Sequence, residues 1–254
     1  MNELPIKLEK CPLVETILEL RFKSSLPDDA VFGVVYQALS KKFDTFTPKR
    51  QGILDLPEEA RNFDPNMKYQ PYYQLVNDNL SIGIGPRSII FSNRAPYKGW
   101  DFFKDFVISA LELVKSSSAV HEIERIGLRY INLIDKSLSE TTNLNISLCG
   151  MLKESSDVST LRLEKRIDAN KMIIFQLNDN VLISINNSPA KKASMIDIDA
   201  INTECFKFQE IEMKILDETL GNLHKLEKKH FFALLDSNYL DSLEPIYEYK
   251  YRGT

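Results

Sequence analysis

Residues 124–132 read Glu124-Arg125-Ile126-Gly127-Leu128-Arg129-Tyr130-Ile131-Asn132. Side chains alternate across a strand, so this run predicts a long strand over 121–135 with Ile123, Arg125, Gly127, Arg129 and Ile131 on one side. Ile126, Leu128, Tyr130 and Asn132 fall on the other. Residues 12–22 repeat the alternation, setting Val14, Thr16, Leu18, Leu20 and Phe22 against Glu15, Ile17, Glu19 and Arg21. Glu15 and Glu19 share the spacing of Arg125 and Arg129, so an antiparallel pairing would set Glu15 against Arg129 and Glu19 against Arg125. Three readings of the arginines stand. They form a structural ion-pair ladder, the expected one, they grip a phosphate or carboxylate in room left by Gly127, or they are solvated charges.

Working outward, Phe32, Val35, Tyr36, Leu39 and Phe43 recur at helical spacing after the start signal Ser25-Leu26-Pro27-Asp28. A second helix opens at Gly99-Trp100 and places Phe103, Phe106, Val107, Ala110 and Val114 on one face. Residues 44–68 carry Pro48, Gly52, Pro57 and Pro65 with little periodicity, which predicts a long surface excursion. Short strands over 69–77, 80–84 and 88–92, separated by Asn77-Asp78-Asn79 and Gly85-Pro86, predict a meander. The first half, 1–138, is thus expected to be a split-βαβ (ferredoxin-like) unit with an extra hairpin strand. The second, 139–254, is expected to hold a short helix near 144–152, strands near 160–167, 172–178, 181–186 and 194–201, and a closing helix over 208–235. A hairpin turn is expected at Asn178-Asp179-Asn180. The whole is an α+β fold of antiparallel sheets and packed helices, the two halves forming one unit.

Four motifs carry a resemblance: Cys11-Pro12-Leu13-Val14-Glu15, Ile82-Gly83-Ile84-Gly85-Pro86, Tyr97-Lys98-Gly99-Trp100 and Gly127-Leu128-Arg129-Tyr130-Ile131-Asn132. Together they resemble a sporadically distributed family of uncharacterised bacterial proteins of about this length, more closely before Thr141 than after it. The resemblance implies a bacterial, cytosolic protein with an accessory role in a mobile-element or defence setting. It supplies no catalytic residues.

Composition sets further bounds. The 254 residues are 27% charged and 43% hydrophobic, with a net charge of −4, which fits a globular protein without a domain-wide basic field for nucleic acid. Cys11, Cys149 and Cys205 form no Cys-x-x-Cys and predict no disulfide framework. Neither a signal-peptide pattern nor a membrane-length apolar run occurs, so a cytoplasmic protein is expected. No Walker loop or Gly-x-Ser-x-Gly elbow is present. His121, His224 and His230 lack the spacing of a helical metal pair, and His224 and His230, among Lys225, Lys228 and Lys229, read as part of a solvated face.

The expectation is therefore a non-enzymatic binding or interaction protein without cofactor or metal, acting on a protein partner or on itself. A nucleic-acid binder or processor using Lys49, Arg50, Arg61 and Arg87 is one alternative, and a small-ligand cup closed by the last helix is another. Arg125, Arg129, Tyr130, Glu15 and Trp100 are the candidate anion- or partner-binding residues, Trp100 doubling as a staple at its helix entry.

Overall fold

The computed structural model describes residues 4–65, 67–144, 158–183 and 190–248. In chain order the elements are β1 (Lys7–Leu8), β2 (Leu13–Lys23), α1 (Asp28–Leu39), β3 (Thr47–Arg50), α2 (Glu58–Phe63), β4 (Tyr73–Asn77), β5 (Leu80–Ile84), β6 (Ser88–Arg94) and α3 (Trp100–Ser116). There follow β7 (Glu122–Ile134), α4 (Leu138–Thr141), β8 (Ser159–Arg166), β9 (Lys171–Ile183), β10 (Lys191–Asn202), β11 (Phe206–Lys207), α5 (Met213–Leu234), α6 (Ser237–Ser242) and β12 (Pro245–Ile246). The fold is α+β. Antiparallel strands run in the order β3-β4-β5-β6-β2-β7-β10-β9-β8, with β11 added to β7.

The stretch β7-β2-β6-β5 reproduces the expected split-βαβ order, and β4 and β3 extend its edge. The region read as an excursion therefore supplies a short strand and a short helix. On the other side β10 pairs with β7, so the second half lengthens the first half's sheet. Of residues 144–152, where a short helix was expected, all but Leu144 lie outside the described residues. The hairpin expected at Asn178-Asp179-Asn180 does not form, because β9 runs through it. Asn180 takes φ 54 beside a register shift opposite Ala193 and Met195. The Asp179 carboxylate accepts from the Leu138 amide at 2.9 Å and the Ser194 hydroxyl at 2.6 Å, tying the bulge down. Asp78, at φ 48, does turn the chain from β4 into β5.

Strand β2 lies antiparallel to β7, but Glu15 faces Ile131 and Glu19 faces Gly127. The pairing is slipped by two residues, so both strands keep their faces. An extra residue at Glu124 returns Ile123 to the buried side beside Ile126, correcting its expected place with Arg125. The apolar side of β2, β6, β7 and β10 packs under α1, α3 and α5, around Leu18, Phe22, Phe91, Phe103, Leu128 and Leu220. Helix α3 contributes Phe103, Phe106, Val107, Ala110, Leu111 and Val114, the stripe its spacing predicts.

Helix α5 is shorter than expected and stops at Leu234, with α6 beginning at Ser237. Ile211 is buried ahead of it, and Ile215 is exposed. Gly221 does not interrupt it. The helix still joins both halves: Leu216, Leu220 and Leu223 enter one core cluster and Phe231 the other, with Leu226 packed against both. A ribbon of β1 and β12 lies beyond its C-terminal end in sequence and carries the N-terminal segment.

Candidate functional site

The open face of the sheet answers the question of the arginines. Arg125 donates to Glu19 and, at 2.7 Å, to Asp199. Its guanidinium lies over Gly127, where an added Cβ would come within 2.7–2.9 Å of it. The space read as room for a ligand is thus taken by Arg125 itself. Arg129 does not meet Glu15; it holds Asp197 through Nε at 2.7 Å and Nη2 at 2.5 Å. Glu15 instead accepts from Ser92 and, at 3.4 Å, from Arg94. The ladder exists, but two of its three pairs use β10, through Asp197 and Asp199. Burial pushes the Asp199 carboxyl up, and Arg125 opposes that push.

A groove of about 530 Å³ lies over this ladder. Its far wall is the excursion, where Arg21 stacks 4.2 Å above Tyr69. The groove carries matched charge rather than a free anion site. Elsewhere Arg50 is bound to Asp55 at 2.6 Å and Arg87 to Asp28 at 3.5 Å, while Arg61 packs on Tyr72. The cations proposed for nucleic acid are therefore largely engaged locally.

The covered face differs. Between α5, β7, the start of α3 and the N-terminal segment lies a cavity of about 260 Å³. Tyr130 and Trp100 meet there, whereas Arg125, Arg129 and Glu15 are on the opposite side of the sheet. Gly99, at φ 102, makes the step from Tyr97 into α3 in a conformation other residues rarely adopt. Trp100 then stacks on His224, ring centroids 4.4 Å apart and planes 7° from parallel. The Tyr130 hydroxyl bonds His224 Nδ1 at 2.9 Å. So His224 is no part of a solvated face. Burial, helped by Lys228 and Lys225, drives its imidazole down to about 3, which keeps the ring neutral at ordinary pH.

One turn further along α5, Glu227 is 5% exposed. Among the described residues its carboxyl has neither a hydrogen-bond nor an ion-pair partner, though it lines the cavity. Burial raises its pKa well above the ordinary glutamate value, which disfavours the ionised form. The buried Tyr97 hydroxyl lies beside Tyr130 and also lacks a partner in hydrogen-bond geometry. Burial pushes both tyrosines up.

Sequence reasoning missed Glu227, although a signal was present. Leu216, Leu220, Leu223, Glu227 and Phe231 form the buried stripe of α5, and an acid stands where the 3–4 spacing calls for a hydrophobe. Compared with protein-family models and with curated proteins, the chain has no match.

Proposed function

We propose that the protein binds a small molecule in the cavity between α5 and the sheet, as a non-enzymatic binding protein. The observation that carries this reading is the buried, partnerless Glu227 on the wall of a cavity of about 260 Å³. An isolated buried carboxyl costs folding free energy that an apolar residue at the same stripe position would not. A ligand that bonds it offsets that cost, and apolar pockets with a few convergent polar groups are the usual form of small-molecule sites. The cavity sits where a closing helix crosses the sheet, as the ligand-cup alternative expects. The engaged arginines of the open face weigh against the nucleic-acid alternative, and no helix among the described residues is long and apolar enough to cross a membrane. A cytosolic setting, an accessory role in bacteria and a further protein partner belong to the same proposal.

The test is native mass spectrometry of the chain purified without denaturation. A stoichiometric adduct is expected, and Cys11→Trp, which narrows the cavity from its exposed margin, should lose it while remaining folded. A bare mass, together with a melting temperature that a metabolite extract leaves unmoved, would overturn the reading.

A further inference from the structure

We infer that the ligand of this cavity carries an N–H donor head, which Glu227 receives, and an acidic group, which the lysines at the rim receive. The inference rests on the reading of the cavity as a ligand site and narrows it to a chemical class. Glu227 is the sole acid among the residues lining the cavity, whereas Lys7, Lys98 and Lys228 line it as well. Lys7 is neutralised by Glu9 at 3.0 Å, so the positive edge of the cavity comes from Lys98, which rests over the Phe102 ring, and from Lys228, neither with an acidic partner among the described residues.

A neutral polar floor could be built from glutamine. A carboxyl differs in that it can give up its proton and become a two-oxygen acceptor, for which an ammonium or two adjacent N–H groups are the matched partner. With an ammonium head the proton leaves Glu227 for solvent and the carboxylate takes the cation, so the two charges cancel; with the neutral N–H donors of a nucleobase the carboxyl keeps its proton and accepts through its carbonyl oxygen. The acid group of the ligand then finds the lysines. Between the two ends the walls are Tyr97, Trp100, Tyr130, Phe231 and other apolar side chains, which suit a flat or aromatic body.

The volume, on the order of nine waters at about 30 Å³ each, admits a molecule the size of an aromatic amino acid, or a nucleobase whose phosphate stays at the rim. These are two sources of one chemistry, and the experiment separates them. Calorimetric titration of the full chain compares L-tryptophan with indole-3-propionate, which lacks the amine, and with tryptamine, which lacks the acid. A second arm compares guanosine monophosphate with inosine monophosphate, which lacks one N–H donor group, and with guanosine, which lacks the phosphate.

One arm is expected to saturate, with each truncated analogue weaker by at least about tenfold, because a site built for a donor leaves its own polar group unpaired when that donor is missing. Glu227→Gln should weaken the parent compound by at least about tenfold and raise the melting temperature of the free protein, which a purely structural acid would not do. The inference is overturned if an analogue without the N–H head binds as tightly, if Glu227→Gln leaves affinity unchanged, or if neither arm binds. A stoichiometric adduct of another composition in the native mass spectrum would then leave the cavity reading standing without this ligand class, and a bare mass with a melting temperature unmoved by a metabolite extract would remove both.

Discussion

On the open face of the sheet Arg125 lies between Glu19 and Asp199, and Arg129 holds Asp197; on the face covered by α5, the buried Glu227 has no ion-pair or hydrogen-bond partner among the described residues. Both arrangements take acids out of bulk water, and only the first compensates them within the chain. Charges paired on adjoining strands fix register and need nothing from outside. A lone buried acid that the sequence could have replaced with leucine has no such account, and an external partner is the simplest one. The clusters that look richest in chemistry, the paired arginines, are thus the ones that the fold uses up.

The largest effect that would test this contrast is on the open face. Arg125 is 15% exposed in its side chain, with Glu19 at 18% and Asp199 at 20%, so Arg125→Met should cost roughly 3–5 kcal/mol by stranding Asp199 and leaving Glu19 to Arg21 alone, at 3.0 Å. The triple change Arg125→Met, Glu19→Gln, Asp199→Asn should recover most of that loss in urea denaturation. A loss below about 1 kcal/mol for the single change, the range of an exposed pair, would mean that the ladder is no structural device and would return this face to the search for a site.

The covered face should announce itself in the pH dependence. His224 has a folded pKa of about 3 against an ordinary 6.5, so the unfolded chain binds a proton that the folded chain refuses. Stability from this residue is complete above about 6.5 and is lost as pH falls toward 3, by about 5 kcal/mol at most. Glu227 runs the other way. Its raised folded pKa makes stability greatest below the unfolded carboxylate value near 4.3 and lowers it as pH rises from there. Urea midpoints across pH 3–9 should therefore rise and then sag, and Glu227→Gln should remove the sag while keeping the acid limb. A profile unchanged by that substitution would place Glu227 in solvent.

How far this contrast was legible beforehand depends on the range of the interactions. The alternation in 12–22 and 121–135 gave neighbouring antiparallel strands, and the stripes of α1 and α3 were plain, because local period reports burial. The two-residue slip was not legible, since a shift by two keeps every face while moving every partner, and nothing local marks the bulge at Glu124 that moves Ile123 to the buried side. Nor was the continuation of β9 through Asn178-Asp179-Asn180, where tertiary bonds to Leu138 and Ser194 override turn composition. Of the candidate residues, Trp100 and Tyr130 did reach one cavity. Their partners His224 and Glu227 lie about a hundred positions away, and lysines on either side of them imitate a solvated helix face.

A smaller effect sharpens the account of the ladder. Gly127→Ala places a methyl group against the Arg125 guanidinium, which two carboxylates hold in place, so a loss of about 1–3 kcal/mol is expected from overpacking. In the Arg125→Met background the same substitution should cost much less, and the difference is the coupling that a double-mutant cycle reads. Equal costs in the two backgrounds would show that Gly127 is needed for its backbone rather than for its arginine.

The smallest effect concerns the helix that carries the lone acid. Gly221 lies inside α5, and an added Cβ there would meet nothing within 4 Å. It takes no positive φ, and no close approach requires it, so Gly221→Ala should stabilise the protein by about 0.5–1 kcal/mol through helix propensity and a less flexible unfolded chain. Because position 221 does not line the cavity, ligand affinity should be unchanged. The pairing of this substitution with Glu227→Gln is informative: both should raise the melting temperature, and only the second should weaken binding. If Gly221→Ala weakened binding as well, α5 would have to bend at the glycine to admit the ligand, and the cavity would be a gated site rather than a preformed one.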